Sequence, residues 1–379
     1  MRFVIDARLR GPVMTGAGRY LAGVAPAIAE CGPQDEFVLL ARKGCAGLWK
    51  GLPRNMRLKE VDIPAAGLKQ HFAIRKILKE IAPDVFHYPM FDLPHGLNVP
   101  SVITVHDLNA MLFPRYFAAG GWWRRPAAIF LYASAIYRAS HVLTALERTR
   151  NELTGFFPFT KGKVTATHYG YHANAEVGKT ADIEELKKRF GFMDQYFLYV
   201  GVHRSHKNLE GLINAMAFLK EKRVKVSLVV AGELDIRFPE PMRQSERLGL
   251  NDVIKFVGYV SEEELNALYR NAAVFVFPSF QEGFGFPLLE AMDFSVPIAC
   301  SDIPVHREVA GDAAEYFDPY SPQNIATALQ KLLVDVDLRR LLAERGKERI
   351  RLFQWRDCAA ATLEVYRKVA GRSKGKSGG

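Results

Sequence analysis

A buried strand that passes through two glycines into a helix limits this chain more than any other stretch: Ala273-Val-Phe-Val-Phe277, then Pro278-Ser-Phe-Gln-Glu-Gly-Phe-Gly-Phe-Pro-Leu-Leu-Glu-Ala-Met292. The continuous apolar run suits a parallel strand covered on both faces. Gly283 and Gly285 admit backbone conformations closed to other residues and let a ligand approach the main chain. Pro287 fits the first position of the helix, where its missing N–H costs nothing. The unit therefore makes an anion site, because unpaired N–H groups and the positive end of the helix dipole converge behind the glycines. Glu282 closes the loop on the strand side and Glu290 is expected in the helix's first turn, so both carboxylates can face one crevice. An anion site lined by two carboxylates suits a ligand with a phosphate and several hydroxyls, such as a sugar nucleotide. A first-turn acid can also complement the dipole without any ligand, and a loop glutamate can simply be solvated.

At 379 residues the chain exceeds what one hydrophobic core usually supports, and 49% hydrophobic residues indicate globular domains with large cores. The periodicity predicts two series of strands alternating with helices. The first has strands at Arg2 to Ala7, Glu36 to Ala41, Arg57 to Val61, Asp84 to Tyr88, Val102 to His106, His141 to Ala145 and Lys163 to His168. The second has them at Tyr196 to Gly201, Val226 to Gly232, Val253 to Val257, Ala273 to Phe277, Val296 to Cys300 and Ala314 to Phe317. Such alternation specifies parallel sheets wrapped by helices, an α/β architecture of two Rossmann-like, doubly wound domains. The expected division is 1–175, then 176–355, then a C-terminal helix over 356–370 packing back on the first domain, and a disordered tail over 371–379. Tyr171 to Asp182 reads as the linker.

Gly16 and Gly18 form a second strand–glycine–helix unit near the N-terminus, with the helix ending near Gly32. A dinucleotide fingerprint would need glycine where Leu21 stands and an acid where Arg42 and Lys43 end the second strand, so a nicotinamide or flavin site is disfavoured. His106-Asp107 closes a central strand, at the carboxyl edge where ligands bind in open α/β sheets, although a histidine there can equally be structural. Arg204 and Lys207 stand three apart just before a helix, suited to clamp two phosphates, or else to be a solvated basic loop. Asp335-Val-Asp337 has the spacing of metal-dependent sugar-nucleotide enzymes but lies between helical segments and reads as a solvated turn; no metal is expected. Cys31, Cys45, Cys300 and Cys358 show no paired spacing and read as ordinary thiols.

The net charge of +10 is unevenly placed. Residues 1–175 hold 22 Lys+Arg against 12 Asp+Glu, while the remainder holds 29 of each. An anionic lipid surface or an anionic acceptor is the expected partner of that half; nucleic acid is not, since no zinc-finger or aromatic RNA-binding signature accompanies the charge. Gly120-Gly-Trp-Trp-Arg-Arg-Pro126 sets two aromatics beside two cations and is the expected docking segment on an anionic membrane. The start of the chain has no signal-peptide pattern and no apolar stretch is long enough to span a bilayer, so the expected location is cytoplasmic, peripheral on the inner face of the membrane.

Several stretches together resemble one family, the retaining, GT-B-fold glycosyltransferases of glycosyltransferase family 4. They are the Pro-Ser-x-x-Glu-Gly-Phe-Gly-x-Pro-x-x-Glu-Ala-Met frame with seven residues between Glu282 and Glu290, Arg204 with Lys207-Asn208, Thr104-Val-His-Asp-Leu108 and Gly16-x-Gly-Arg-Tyr20. The resemblance covers residues 1 to about 368 and implies two domains facing a cleft. It implies that Glu290 binds the nucleotide ribose and Glu282 the donor sugar, that Arg204 and Lys207 neutralise the diphosphate, and that His106 lines the catalytic cleft. Gly285, Phe286, Pro287 and Leu288 would cradle sugar and phosphate through their backbone, the Gly258-Tyr-Val260 loop would flank the base, and Gly16 and Gly18 would complete the site. The implied activity is metal-independent transfer of a hexose from a nucleotide diphosphate sugar, without a further cofactor, to a saccharide or lipid-linked acceptor in cell-surface polysaccharide synthesis. Short resemblances lean towards mannose and GDP. A two-lobed sugar- or nucleotide-binding protein without catalysis would share the architecture. Three positions depart from the family's pattern: Ser295 and His168-Tyr-Gly170 stand where glycine and Asn-Gly are common, and Ala145-Leu-Glu147 where Val-Ser-Glu is.

Overall fold

The computed structural model describes residues 1–64, 67–112, 124–173, 179–233 and 238–376. Packing divides the chain into two units, Met1–His172 with Phe353–Gly379, and Ala173–Leu352. In chain order the first contains β1 (Arg2–Asp6), α1 (Gly16–Cys31), β2 (Glu36–Arg42), β3 (Met56–Val61), α2 (Leu68–Ile81), β4 (Val85–Tyr88), β5 (Ser101–Val105), α3 (Asn109–Leu112), α4 (Arg124–Arg138), β6 (His141–Thr144), α5 (Glu147–Phe156) and β7 (Val164–Ala166). The second contains α6 (Ile183–Phe190), β8 (Tyr196–Val200), α7 (Leu209–Glu221), β9 (Ser227–Ala231), α8 (Glu240–Arg247), β10 (Ile254–Gly258), α9 (Glu262–Asn271), β11 (Val274–Phe277), α10 (Phe286–Asp293), β12 (Ile298–Ser301), α11 (Pro304–Ala310), β13 (Ala314–Phe317), α12 (Pro322–Val334) and α13 (Val336–Ile350). The last helix, α14 (Trp355–Lys376), returns to the first unit.

Both sheets are parallel throughout, with orders β3-β2-β1-β4-β5-β6-β7 and β10-β9-β8-β11-β12-β13. Each order reverses once, between β1 and β4 and between β8 and β11, as the doubly wound reading expects. A crevice opens at such a reversal, outside the carboxyl ends of the two strands, because the helices that follow them pack on opposite faces. The inner strands are buried almost end to end, β4, β5 and β11 at every position, while β3, β7, β10 and β13 at the sheet edges are partly exposed, so the cores lie on both sides of the central strands.

The seat of α14 in the first unit is cut by two glycines. A Cβ on Gly23 of α1 would lie 2.0 Å from the Trp355 ring, and one on Gly170 would lie 2.2 Å from the Trp355 backbone nitrogen. Further along, the Tyr366 hydroxyl reaches Nδ1 of the buried His87 at 2.6 Å, and Arg367 pairs with Asp35 at 2.9 Å.

Four expectations are corrected. Helix α1 starts at Gly16, so Gly16 and Gly18 lie inside its first turn rather than in a loop before it; Thr15 caps it, its hydroxyl accepting the Gly18 N–H at 3.1 Å. The tail expected to be disordered from 371 is helical to Lys376, because extending a helix already anchored by packing fixes one residue per hydrogen bond gained. Helix α10 starts at Phe286 with Pro287 second, which puts Glu290 in its second turn. Trp122 and Trp123 of the expected membrane segment lie outside the described residues. Asp335 and Asp337, expected in a solvated turn, instead open a helix: Asp335 caps α13 by accepting the Leu338 N–H at 2.8 Å, and Asp337 lies exposed in its first turn, 3.3 Å from Arg340. The four cysteines are free thiols.

Candidate active site

The second unit's reversal point brings together the loops that follow β8 and β11. After β8 the chain makes a single tight turn over Ser205–Lys207, and Asn208 enters α7 in the left-handed conformation, with φ 55°. Asn208 is buried, and its side-chain amide donates to the carbonyl oxygens of Pro278 at 3.0 Å and Pro319 at 2.8 Å, fixing the ends of β11 and β13 against the start of α7. The Phe280 N–H donates to the His206 carbonyl at 2.8 Å. Two loops far apart in sequence are thereby held as one surface.

On that surface Lys207 Nζ donates to both oxygens of Glu282, at 2.7 and 2.9 Å. The ammonium also stands 5.3 Å from the centre of the Phe277 ring, within cation–π range. Glu282 is 8% exposed. Burial alone would raise its pKa; the charge of Lys207, with smaller contributions from His206 and the Ser279 hydroxyl, outweighs this and leaves the carboxyl below its ordinary value. His206 is buried and moved down to about 4, and His306, wholly buried and stacked 5.0 Å from Phe277, likewise to about 4; burial is the chief cause in both. Among the described residues the guanidinium of Arg204 takes part in no ion pair or hydrogen bond, and the residue is half-buried. It heads the same turn, its carbonyl accepting the Lys207 N–H at 2.9 Å.

Gly285 begins α10 with φ 96°, a left-handed value that a side chain would strain, and a Cβ there would come 3.4 Å from Phe277. Phe286, Pro287 and Leu288 form the first turn; Pro287 has no N–H to satisfy, and the Leu288 N–H donates to the Gly285 carbonyl at 2.9 Å. Glu290, 6% exposed, accepts the Tyr269 hydroxyl at 2.7 Å. Val260 follows the β10 strand and precedes Ser261, which closes a reciprocal cap with Glu264 at the start of α9.

His106 directly follows β5 in the first unit. Its Nε2 lies 3.0 Å from the Pro89 carbonyl, which can only accept, so Nε2 carries the proton and Nδ1 accepts from the Tyr169 hydroxyl at 2.6 Å. Burial moves its pKa down to about 4. Both ring nitrogens are therefore committed within the protein. Gly16 meets nothing within 4 Å of a would-be Cβ, so the start of α1 is open to close approach.

Sequence reasoning missed the network at the first unit's reversal point. Arg8, 2% exposed, donates to Asp6 at 2.6 Å, to the Pro64 carbonyl at 2.6 Å and to Gln70 at 3.2 Å; Tyr88 donates to Asp92 at 2.8 Å and Gln70 to Asp92 at 2.9 Å. The only signal was Asp6 and Arg8 flanking the end of an apolar strand. His206, Asn208 and His306 were likewise unassigned, because their partners lie 70 and more positions away or across strands.

Each unit matches its own family model. The model described as "Glycosyltransferase Family 4" matches residues 14–174, and that described as "Glycosyl transferases group 1" matches 182–349. The O-antigen chain mannosyltransferase B of Escherichia coli is 29% identical over 292 residues, 76% of each chain. The O-antigen chain mannosyltransferase RfbU of Salmonella typhimurium is 30% identical over 234 residues, 61% of this chain and 60% of that one. In fold, Anabaena HepE in complex with UDP and glucose superposes with a TM-score of 0.75 over 97% of this chain and 100% of that one, at 17% identity. With one family model on each unit and both sheets in the GT-B pattern, the chain belongs to the group 1, family 4 glycosyltransferases.

Proposed function

We propose that the protein transfers a hexose, mannose, from a nucleotide diphosphate sugar to a saccharide or lipid-linked acceptor in the synthesis of cell-surface polysaccharide, without a metal ion and with retention at the anomeric carbon. The observation that carries this reading is the Lys207–Glu282 pair on the same surface as Arg204, whose guanidinium has no ion pair or hydrogen bond among the described residues, in the loop that leads through Gly285 into α10. Lys207, Arg204 and the positive N-terminal end of α10 would receive the diphosphate. Glu290 would take the ribose hydroxyls, and Glu282 would orient the sugar. The relatives named as mannosyltransferases support mannose.

In the transfer, the bond from the anomeric carbon to the phosphate oxygen breaks, and its electron pair stays on the diphosphate. The acceptor oxygen bonds to the same face of that carbon, and its proton passes to the departing phosphate oxygen. Charge accumulates on the diphosphate in the transition state, where preorganised cations and N–H groups stabilise it most. His106 has both ring nitrogens bonded to Pro89 and Tyr169, so it is not the group that moves the proton. Membrane docking is supported by the basic first unit and by the exposed Phe130 and Tyr137 of α4; no described helix is long and apolar enough to cross a membrane.

Thermal shifts with GDP, UDP, ADP and dTDP, followed by release of GDP from GDP-mannose in excess EDTA, test the reading. A shift with GDP and EDTA-resistant turnover are expected. A protein stabilised by none of the four, or one that EDTA silences and Mn²⁺ restores, contradicts it.

A further inference from the structure

Beside Glu282 stands an aromatic pair, Phe280 from the same loop and Tyr320 from the turn between β13 and α12. Tyr320 follows β13 and is 75% exposed, yet its ring lies stacked on Phe280, with centroids 4.8 Å apart and planes 25° from parallel. The pair is pinned from beneath. Asn208 holds the carbonyls of Pro278 and Pro319, Phe280 N–H is held by His206, and the Tyr320 N–H donates to Asp318 at 2.9 Å. An exposed aromatic surface fixed at the backbone on both sides loses little conformational freedom when something binds.

The position defines what could lie on it. Phe280 is two residues from Glu282, and its N–H bond runs to the residue before Lys207. Gln281, half-buried between them, and the carboxylate of Asp318 supply polar groups at the rim. A flat apolar face edged by planar hydrogen-bonding groups matches a pyranose ring, which has an apolar C–H face and hydroxyls around its edge. We propose that Phe280 and Tyr320 form a binding platform for a pyranose of the acceptor saccharide. The acceptor is assigned rather than the donor because a donor sugar at Glu282 sits in the buried part of the site, whereas Tyr320 opens to solvent. The inference rests on the glycosyltransferase reading above.

Saturation-transfer NMR of the full-length protein with mannobiose, maltose, cellobiose and chitobiose tests it, with GDP thermal shift measured alongside. At least one disaccharide is expected to receive saturation, strongest on the C–H protons of one ring face. Tyr320→Ala should weaken that binding by about tenfold, the scale of one lost aromatic contact. Tyr320→Phe should keep it, and neither change should alter the GDP shift. Failure of every disaccharide to bind wild type, or binding unchanged in Tyr320→Ala, overturns the platform. Loss of the GDP shift in Tyr320→Ala also overturns it, by moving the pair to the nucleotide. A wild-type protein that binds a disaccharide but no nucleotide would sink the transferase reading and leave the platform standing.

Discussion

Lys207 and Glu282 show what a single residue pair is asked to do. Replacing Lys207 by Ala strands a carboxylate that is 8% exposed, and breaking one side of a buried pair costs about 3 kcal/mol, the low end of the usual range because the lysine keeps 19% of its side chain in solvent. Turnover should fall by roughly 10² to 10³, the scale for one preorganised charge-stabilising donor. Denaturant titration and initial rates check the two numbers; a mutant with normal rates removes Lys207 from the diphosphate site. Ser295 and His168, noted as departures from the family's glycine-rich pattern, both adopt positive φ, 57° and 30°. Ser295 closes α10 by donating its N–H to Met292 while Val296 donates to Ala291, the double bond of a left-handed helix stop. Ser295→Gly should therefore stabilise the second unit by about 1 kcal/mol, since the left-handed region costs a side chain roughly that much. A lower midpoint in urea would show that the serine side chain compensates.

Among the elements, α14 depends on the absence of two side chains. Gly23→Ala forces a methyl into the Trp355 ring, and overpacking of this kind costs about 1 to 3 kcal/mol. Trp355→Ala empties the same slot at about 3 to 5 kcal/mol. The double mutant should be no less stable than Trp355→Ala alone, because the clash and the ring disappear together. Additive losses by chemical denaturation would mean that Gly23 matters for another reason. The element pattern was legible because each strand is a short apolar run and each crossover a helix. The start of α1 was not, since two glycines resemble a loop until Thr15 is seen to cap the turn they begin. The second-turn place of Glu290 was missed for a related reason: proline is suited to either of the first two positions, and Gly285 sets which.

At the scale of the molecule, buried histidines set the response to acid. His87 and His106 in the first unit are moved down to about 3 and about 4, and His206 and His306 in the second to about 4, with burial the leading cause each time. Each is neutral when folded and charges near 6.5 when unfolded, so its contribution is present above that pH and is lost as pH falls towards 4. The slope approaches ~1.4 kcal/mol per pH unit per group. Glu282, held below its ordinary value, contributes above about 4.5 and is lost only at lower pH. Melting temperature should thus begin to fall near pH 6.5, well before the carboxylates titrate. A flat profile between pH 7 and 5 would show that these imidazoles are accessible to protons in the folded protein.

The sequence by itself determined the two doubly wound units, the strand–glycine–helix unit around Gly285 and the family, because period, glycine placement and the spacing of Glu282 and Glu290 are local properties of the chain. Only the tertiary structure decided who holds whom. Lys207 meets Glu282 across 75 positions, Asn208 ties Pro278 to Pro319, and His106 gives both nitrogens to Pro89 and Tyr169. Hydrogen bonds and ion pairs act over about 3 Å, and which groups come that close depends on the order in which strands enter a sheet, which no local pattern of residues encodes.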